Sequence, residues 1–328
     1  MEGTVTDWHL VHLGSRAIGG AGLVISEMTD VSPEGRITTG CAGIWTAAHA
    51  AAWKRIVGFV HANSAAKIGI QLAHAGRKAS CALPWAGGAP LVDGAWETIG
   101  PSALPFRAGD PPPREMTRGD MDRIRDAFVA ATNRSAEAGF DLVELHMAHG
   151  YLLSSFLSPL SNHRTDDYGG PLENRLRFPL EVLRAVRAAW PADRPLAVRI
   201  SASDWVEDGG TTPEESVEIA KALHAAGCDV VDVSSGGNSP DSRVVYGRMY
   251  QVPFADRIRH EARVPVMAVG AILDADHVNT VIAAGRADLC CLARPHLADP
   301  YLTAHAAGRY GFPDHAWPVQ YAAVRPKG

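Results

Sequence analysis

Short runs of β-branched and aliphatic residues alternate with helix-period stretches along almost all of this 328-residue chain, and that alternation constrains the fold more than any other feature. The apolar runs fall at 22–26, 67–71, 141–145, 196–200, 229–233, 265–269 and 288–292. Each is short and apolar nearly throughout, the pattern of a strand covered on both faces. Amphipathic stretches lie between and around them, among them 47–63, 118–138, 172–190, 212–226, 251–261 and 275–284. Punctuation agrees: Thr211-Thr-Pro-Glu-Glu215 offers a cap, then Pro and acidic residues in a first turn, and Gly227 stands where that helix ends. The phrase Ala-Gly-x-Asp, or close to it, recurs before strands at 138–141, 226–229 and 284–288. Such a rhythm implies a parallel sheet with right-handed crossovers, doubly wound or closed. The length favours a (β/α)8 TIM barrel, read as one domain over residues 1–328.

Counting the units gives seven strands against eight helices, because residues 6–19 read as a helix ahead of the first recognisable strand. Barrel closure needs eight strands with consistent shear, so the first β-strand is expected to be missing, its place lying just before Met1. One long connection, about 79–117, is rich in Gly and Pro and carries Trp85 and Trp96. After a strand's C-terminal end such an insertion reads either as a lid over the site or as a plain surface excursion.

Charge narrows the partners. With 31 Lys+Arg against 36 Asp+Glu the net charge is −5, and no run of one sign is long enough to hold nucleic acid. No apolar run approaches the roughly 20 residues of a membrane helix, so no membrane is expected. Five cysteines, an odd number without C-x-x-C spacing, point to a reduced, cytoplasmic setting.

Two segments at strand C-terminal ends carry chemistry: Gln71-Leu-Ala-His-Ala-Gly-Arg-Lys78 and His146-Met-Ala-His-Gly-Tyr-Leu152. That is the face where barrel enzymes gather catalytic groups. His146 and His149 read either as metal ligands or as two N–H donors aimed at one substrate oxygen. No third ligand shows the spacing of a metal motif, so no metal is expected. Tyr151, two residues on, is placed to donate a proton.

The second segment, followed by Leu157-Ser-Pro-Leu-Ser-Asn-His-Arg-Thr-Asp-Asp-Tyr-Gly-Gly170 and Glu173-Asn-Arg175, resembles the signature of the Old Yellow Enzyme family. Further matches are Trp8-His-Leu-Val-His12, Ser32-Pro-Glu-Gly-Arg36, Val198-Arg-Ile-Ser-Ala-Ser203 and Pro318-Val-Gln-Tyr321. The wording around Gln71 is most similar to the thermophilic-like class. The resemblance implies an FMN-dependent ene-reductase that uses NADPH or NADH to reduce the C=C bond of α,β-unsaturated carbonyl or nitro compounds. It also implies association as a homodimer or homotetramer. On this resemblance Gln71 bonds the flavin pyrimidine edge, Arg199 lies near flavin N1 and C2=O, and Met28 offers its backbone to the ring. Gly270, Ala293 and Arg294 would hold the phosphate at the last two strand ends. His146 and His149 would hold the substrate oxygen, with Tyr151 the proton donor.

Three departures stand out. Ala293 replaces the family's usual Gly, the first strand with its Pro-Met-Cys or Pro-Met-Thr has no counterpart, and Arg325 falls two residues beyond the family's C-terminal arginine. An iron–sulfur relative would need a cysteine cluster that this chain lacks. Two other readings stay open: a truncated family member that binds flavin weakly or is inactive, and a metal-dependent barrel hydrolase using His146, His149 and His74.

Overall fold

The computed structural model describes residues 2–324, so Arg325 lies outside the described residues. Among the described residues nine strands run in chain order as β1 (Leu23–Asp30), β2 (Lys67–Ala73), β3 (Ile99–Gly100), β4 (Arg114–Glu115), β5 (Leu142–Met147), β6 (Leu196–Ser201), β7 (Val230–Ser234), β8 (Val266–Val269) and β9 (Leu289–Cys291). The two-residue β3 and β4 pair only with each other, and the other seven form one parallel sheet in the order β1-β2-β5-β6-β7-β8-β9. All seven strands expected from the sequence are present. The sheet curls, with helices packed around it, into a TIM-barrel-like arrangement.

The helices are α1 (Asp7–Ile18), α2 (Ala47–Asn63), α3 (Arg118–Ala138), α4 (Leu152–Leu157), α5 (Leu172–Ala189), α6 (Pro213–Ala225), α7 (Val252–Glu261), α8 (Ala275–Ala283), α9 (Arg294–Ala298) and α10 (Leu302–Arg309). Short polar side chains start them where the sequence suggested. Thr212 accepts from the Glu215 N–H ahead of Pro213, and Thr117 and Asp120 form a capping box on α3. No helix among the described residues is long and apolar enough to cross a membrane.

The repeated Asp before a strand has a physical role. Asp141 accepts from the Ile68 N–H at 2.8 Å, Asp229 from the Leu196 N–H at 2.8 Å and Asp288 from the Val266 N–H at 2.9 Å. In each case the carboxylate satisfies an amide at the start of the neighbouring strand, so one residue type sets the register at three strand junctions. Between sheet and helices the core is dense: Trp53 is fully buried, meets Phe140 edge-on at 5.5 Å and donates its indole N–H to the Gly43 carbonyl at 3.2 Å.

Burial changes across the sheet. Every residue of β5 is buried, as are six of the seven in β2, whereas β9 has no buried residue and Leu289 is 49% exposed. β1 and β9 are the two edges, and among the described residues they do not pair with each other. Residues 79–117 fold over the strand C-terminal ends through the β3–β4 pair and short turns. Because an unpaired edge opens at low cost, amide exchange is expected to be faster in β1 and β9 than in β5 and β6. Equal protection by hydrogen-exchange mass spectrometry would contradict an open edge.

Candidate active site at the strand C-terminal ends

Five adjacent strands bring side chains to one end of the sheet, and the parallel register aligns them. Met28 of β1 lies opposite Gln71 of β2, Gln71 opposite Glu144 of β5, His146 opposite Arg199 of β6, and Arg199 opposite Asp232 of β7. Gln71 donates its amide N–H to Glu144 Oε1 at 2.7 Å. Arg199 Nε lies 3.4 Å from Asp232 Oδ2. Burial opposes charge on Arg199, but the Asp232 and Glu144 carboxylates outweigh it and hold the guanidinium protonated.

His146 and His149 are brought into contact. The turn after β5 runs through His149 at φ 62°, a left-handed conformation that a non-glycine residue adopts only when its surroundings enforce it. The enforcement is visible: Ser201 Oγ accepts from the His149 N–H at 2.9 Å, and Lys78 Nζ donates to the carbonyls of His149 at 2.9 Å and Gly237 at 3.1 Å. Gly237 packs so closely that a Cβ there would lie 2.5 Å from the His149 Cα. Lys78, Gly237 and Ser201 together freeze the turn.

The hydrogen bonds define the ring tautomers. Ala148 N–H donates to His146 Nδ1 at 3.1 Å, which leaves the proton of His146 on Nε2, 3.3 Å from His149 Nδ1. His149 then carries its proton on Nε2 and donates to Ser234 Oγ at 2.7 Å. Ser234 in turn reaches Gln251 Oε1 at 3.4 Å. Without ligand, then, the two imidazoles bond each other. A change of His149 tautomer separates that state from one with two convergent donors: Nε2 gives its proton to solvent, Nδ1 takes one up from solvent, and Ser234 turns its hydroxyl hydrogen onto the bare Nε2.

Tyr151 caps α4 with its ring edge-on to His146 at 5.0 Å, and Lys78 Nζ sits 5.2 Å above the same ring. Burial, with help from Cys41 and Asp30, raises the Tyr151 pKa, so its hydroxyl stays protonated. Beyond Tyr151 lies a cavity of about 440 Å³ under residues 79–117, lined by Lys78, Cys81, Trp96 and Phe106 among others. Arg77 pins this roof, donating to the carbonyls of Leu104, Pro105 and Asn238.

Gly270 follows β8 at φ 107°, where a Cβ would meet Gln251 Nε2 at 2.5 Å. Ala293 and Arg294 follow β9 and are exposed, at the neighbouring strand end. Among the described residues no three His, Cys, Asp or Glu side chains are grouped to hold a metal ion, so the hydrolase reading gains nothing from the geometry. Sequence reasoning missed Ser234, Glu144 and Asp232, whose only signal was a polar residue inside an otherwise apolar strand.

The model of the NADH:flavin oxidoreductase / NADH oxidase family matches residues 1–310. An NADPH dehydrogenase of Geobacillus thermodenitrificans (strain NG80-2) is 47% identical over 320 residues, covering 98% of this chain and 88% of that protein. The chain belongs to this flavin oxidoreductase family. It is an NAD(P)H oxidoreductase with FMN as cofactor, and the Old Yellow Enzyme resemblance of its motifs holds. An NADPH dehydrogenase of Clostridium acetobutylicum is 43% identical over 305 residues, covering 93% of this chain and 86% of that protein. Among solved structures, morphinone reductase superposes with a TM-score of 0.76 at 29% identity, covering 99% of this chain and 86% of that one. A 2-naphthoyl-CoA reductase complex superposes with a TM-score of 0.83 at 30% identity, covering 93% of this chain, which spans only 47% of its length.

Burial is the main reason both imidazoles stay neutral: it lowers His149 to about 3, with Arg199 and Lys78 adding to the effect, and it takes His146 well below its usual value. The unfolded chain therefore binds protons below about pH 6.5 that the folded chain refuses, and this contribution to stability is lost as pH falls toward 3. 15N shifts of both rings are expected to report neutral imidazole from pH 8 down to pH 5. Protonation of either ring near pH 6 would contradict the geometry.

Proposed function

We propose that this chain reduces the C=C bond of α,β-unsaturated carbonyl or nitro compounds, and the observation that carries the reading is the neutral His146–His149 pair facing the Tyr151 ring. FMN, when bound, supplies the hydride that it has received from NAD(P)H. The residues present fit that group. Gln71 spends an amide N–H on Glu144, which leaves its amide oxygen to accept from the ring N–H of a pyrimidine edge, and Arg199 offers a protonated guanidinium to the adjoining carbonyl and ring nitrogen. Met28 flanks Gln71 on the neighbouring strand, while Gly270, Ala293 and Arg294 are the phosphate-holding residues at the β8 and β9 ends.

In this reading an activated alkene enters with its carbonyl or nitro oxygen between His146 Nε2 and His149 Nδ1, displacing their mutual hydrogen bond. Two neutral N–H donors in a water-poor site stabilise negative charge as it develops on that oxygen without themselves carrying a charge that burial would penalise. Ser234 supplies the tautomer that this requires. Tyr151, held protonated, delivers its proton to the α-carbon from beside the pair. The cavity beyond Tyr151 then receives the part of the substrate that does not react, and residues 79–117 act as its lid. The free edges of β1 and β9 support a further element of the proposal: the position of the family's first strand, between them, is unfilled among the described residues. The five cysteines are all unpaired thiols, which supports a reducing, cytoplasmic setting.

The test is reoxidation of the NADPH-reduced protein by 2-cyclohexenone, followed in the wild type and in a His146→Ala/His149→Ala variant. Removal of both donors is expected to slow this step by roughly 10²–10³-fold while FMN stays bound. Reoxidation at the wild-type rate in that variant would refute the role of the pair.

A further inference from the structure

Directly beneath Gln71 and Arg199 the barrel interior holds two carboxyl groups that the proposed chemistry does not use. Glu144 is fully buried and Asp232 is 1% exposed, and each keeps one oxygen, Oε2 and Oδ1 respectively, without a hydrogen-bond partner among the described residues. Two buried carboxylates facing one guanidinium leave a net negative charge in a medium that penalises it. Burial is the main cause of the raised pKa of Glu144, which the Asp232 charge pushes further, to about 8; Arg199 and Gln71 oppose it. Asp232 is raised in the same sense by burial, with Arg199 opposing. At neutral pH the group Arg199, Asp232 and Glu144 thus holds one carboxyl proton and no net charge, and the two carboxyls titrate as a pair.

Geometry gives this pair a task. The Gln71 amide can present its oxygen to the mouth only because its nitrogen is turned the other way, onto Glu144 Oε1 at 2.7 Å. The Gln71 backbone N–H is also taken, donating to Ser26 Oγ of β1 at 3.1 Å, so the strand itself cannot rotate to change that choice. We propose that Glu144 is a positioning residue of the cofactor pocket: it fixes the orientation of the Gln71 amide and, with Asp232, sets the net charge that Arg199 presents to the flavin. The inference rests on the flavin-site reading of Gln71 and Arg199. It adds that the flavin's reduction potential is governed by a proton buried below the cofactor as well as by the arginine beside it.

The groups that face Glu144 bound its titration. Gln71 faces it from β2, Arg199 from β6, Asp232 from β7 and the half-buried Cys291 from β9, with Cys228 ahead of β7 and His146 on its own strand. Burial and the neighbouring carboxyls push the Cys291 thiol well up, and His146 is held neutral, so neither contributes a competing charge near neutral pH. As pH rises through about 8, loss of the Glu144 proton adds a negative charge below the flavin, which opposes its acceptance of electrons.

FMN affinity by fluorescence titration and the two-electron potential of bound FMN from pH 6 to pH 10 would be measured on the wild type, Glu144→Gln and Glu144→Leu. Glu144→Gln keeps an acceptor for Gln71 and no proton to lose: its affinity should stay within about threefold of wild type, and the extra fall in potential seen in the wild type above pH 8 should vanish. Glu144→Leu leaves the Gln71 amide without its partner, and its affinity should drop by about tenfold or more. If Glu144→Leu fails to fold, the Glu144→Gln potential profile decides alone. Wild-type affinity and an unchanged potential profile in Glu144→Gln would overturn the inference while leaving the flavin site intact. A folded wild type that does not bind FMN would instead overturn the reading beneath it.

Discussion

A guanidinium lodged among parallel strands must be neutralised where it stands, and Arg199 meets that demand with Asp232 opposite it in register and Glu144 one strand over. Much of the site follows from this arrangement. Burial, with the Arg199 cation adding to it, depresses His146 and His149 and keeps both rings neutral donors. Glu144, one of the two carboxyls that hold Arg199 charged, also turns the Gln71 amide. Charge neutrality in the barrel interior therefore links the pyrimidine side of the pocket to the substrate side through four adjacent strands.

A second basic pair works on backbone. Lys78 ties the His149 turn to the Gly237 loop, and Arg77 ties the Asn238 carbonyl beside it to the roof at Leu104 and Pro105. Desolvation lowers Lys78 to about 8, helped by Arg77 and Arg107, yet its ammonium satisfies two carbonyls and lies over the Phe106 and Tyr151 rings. The strained φ of His149 persists because three loops are stitched together by these two side chains.

The seven strands and the principal helices were legible because parallel strands buried on both faces are apolar throughout and helix caps use distinctive residues. The recurring Asp was visible as a phrase, but its work, capping an amide at the start of the adjacent strand, required the register. His146, His149 and Tyr151 were legible as a cluster; their tautomers were not, since Ser234 comes from a strand 85 positions away from His149. The motif that most strongly marks the family mostly builds scaffold: Asn162 binds the carbonyls of Phe156 and Tyr168, and Arg175 binds the Leu157 and Gly170 carbonyls and Glu215. Glu144 and Asp232 were passed over because a single acidic residue inside an apolar strand has no short-range pattern, and its partners lie on other strands.

The account stands on the pocket between Gln71, Arg199 and the imidazole pair accepting a flavin. The most direct measurement is a titration of the purified, folded protein with FMN, followed by quenching of flavin fluorescence and by the visible spectrum. The account predicts one FMN per chain, a perturbed flavin absorbance band, and loss of binding in Gln71→Ala/Arg199→Ala. A folded chain that stays colourless at saturating FMN, or a double variant that binds as tightly as the wild type, would contradict it.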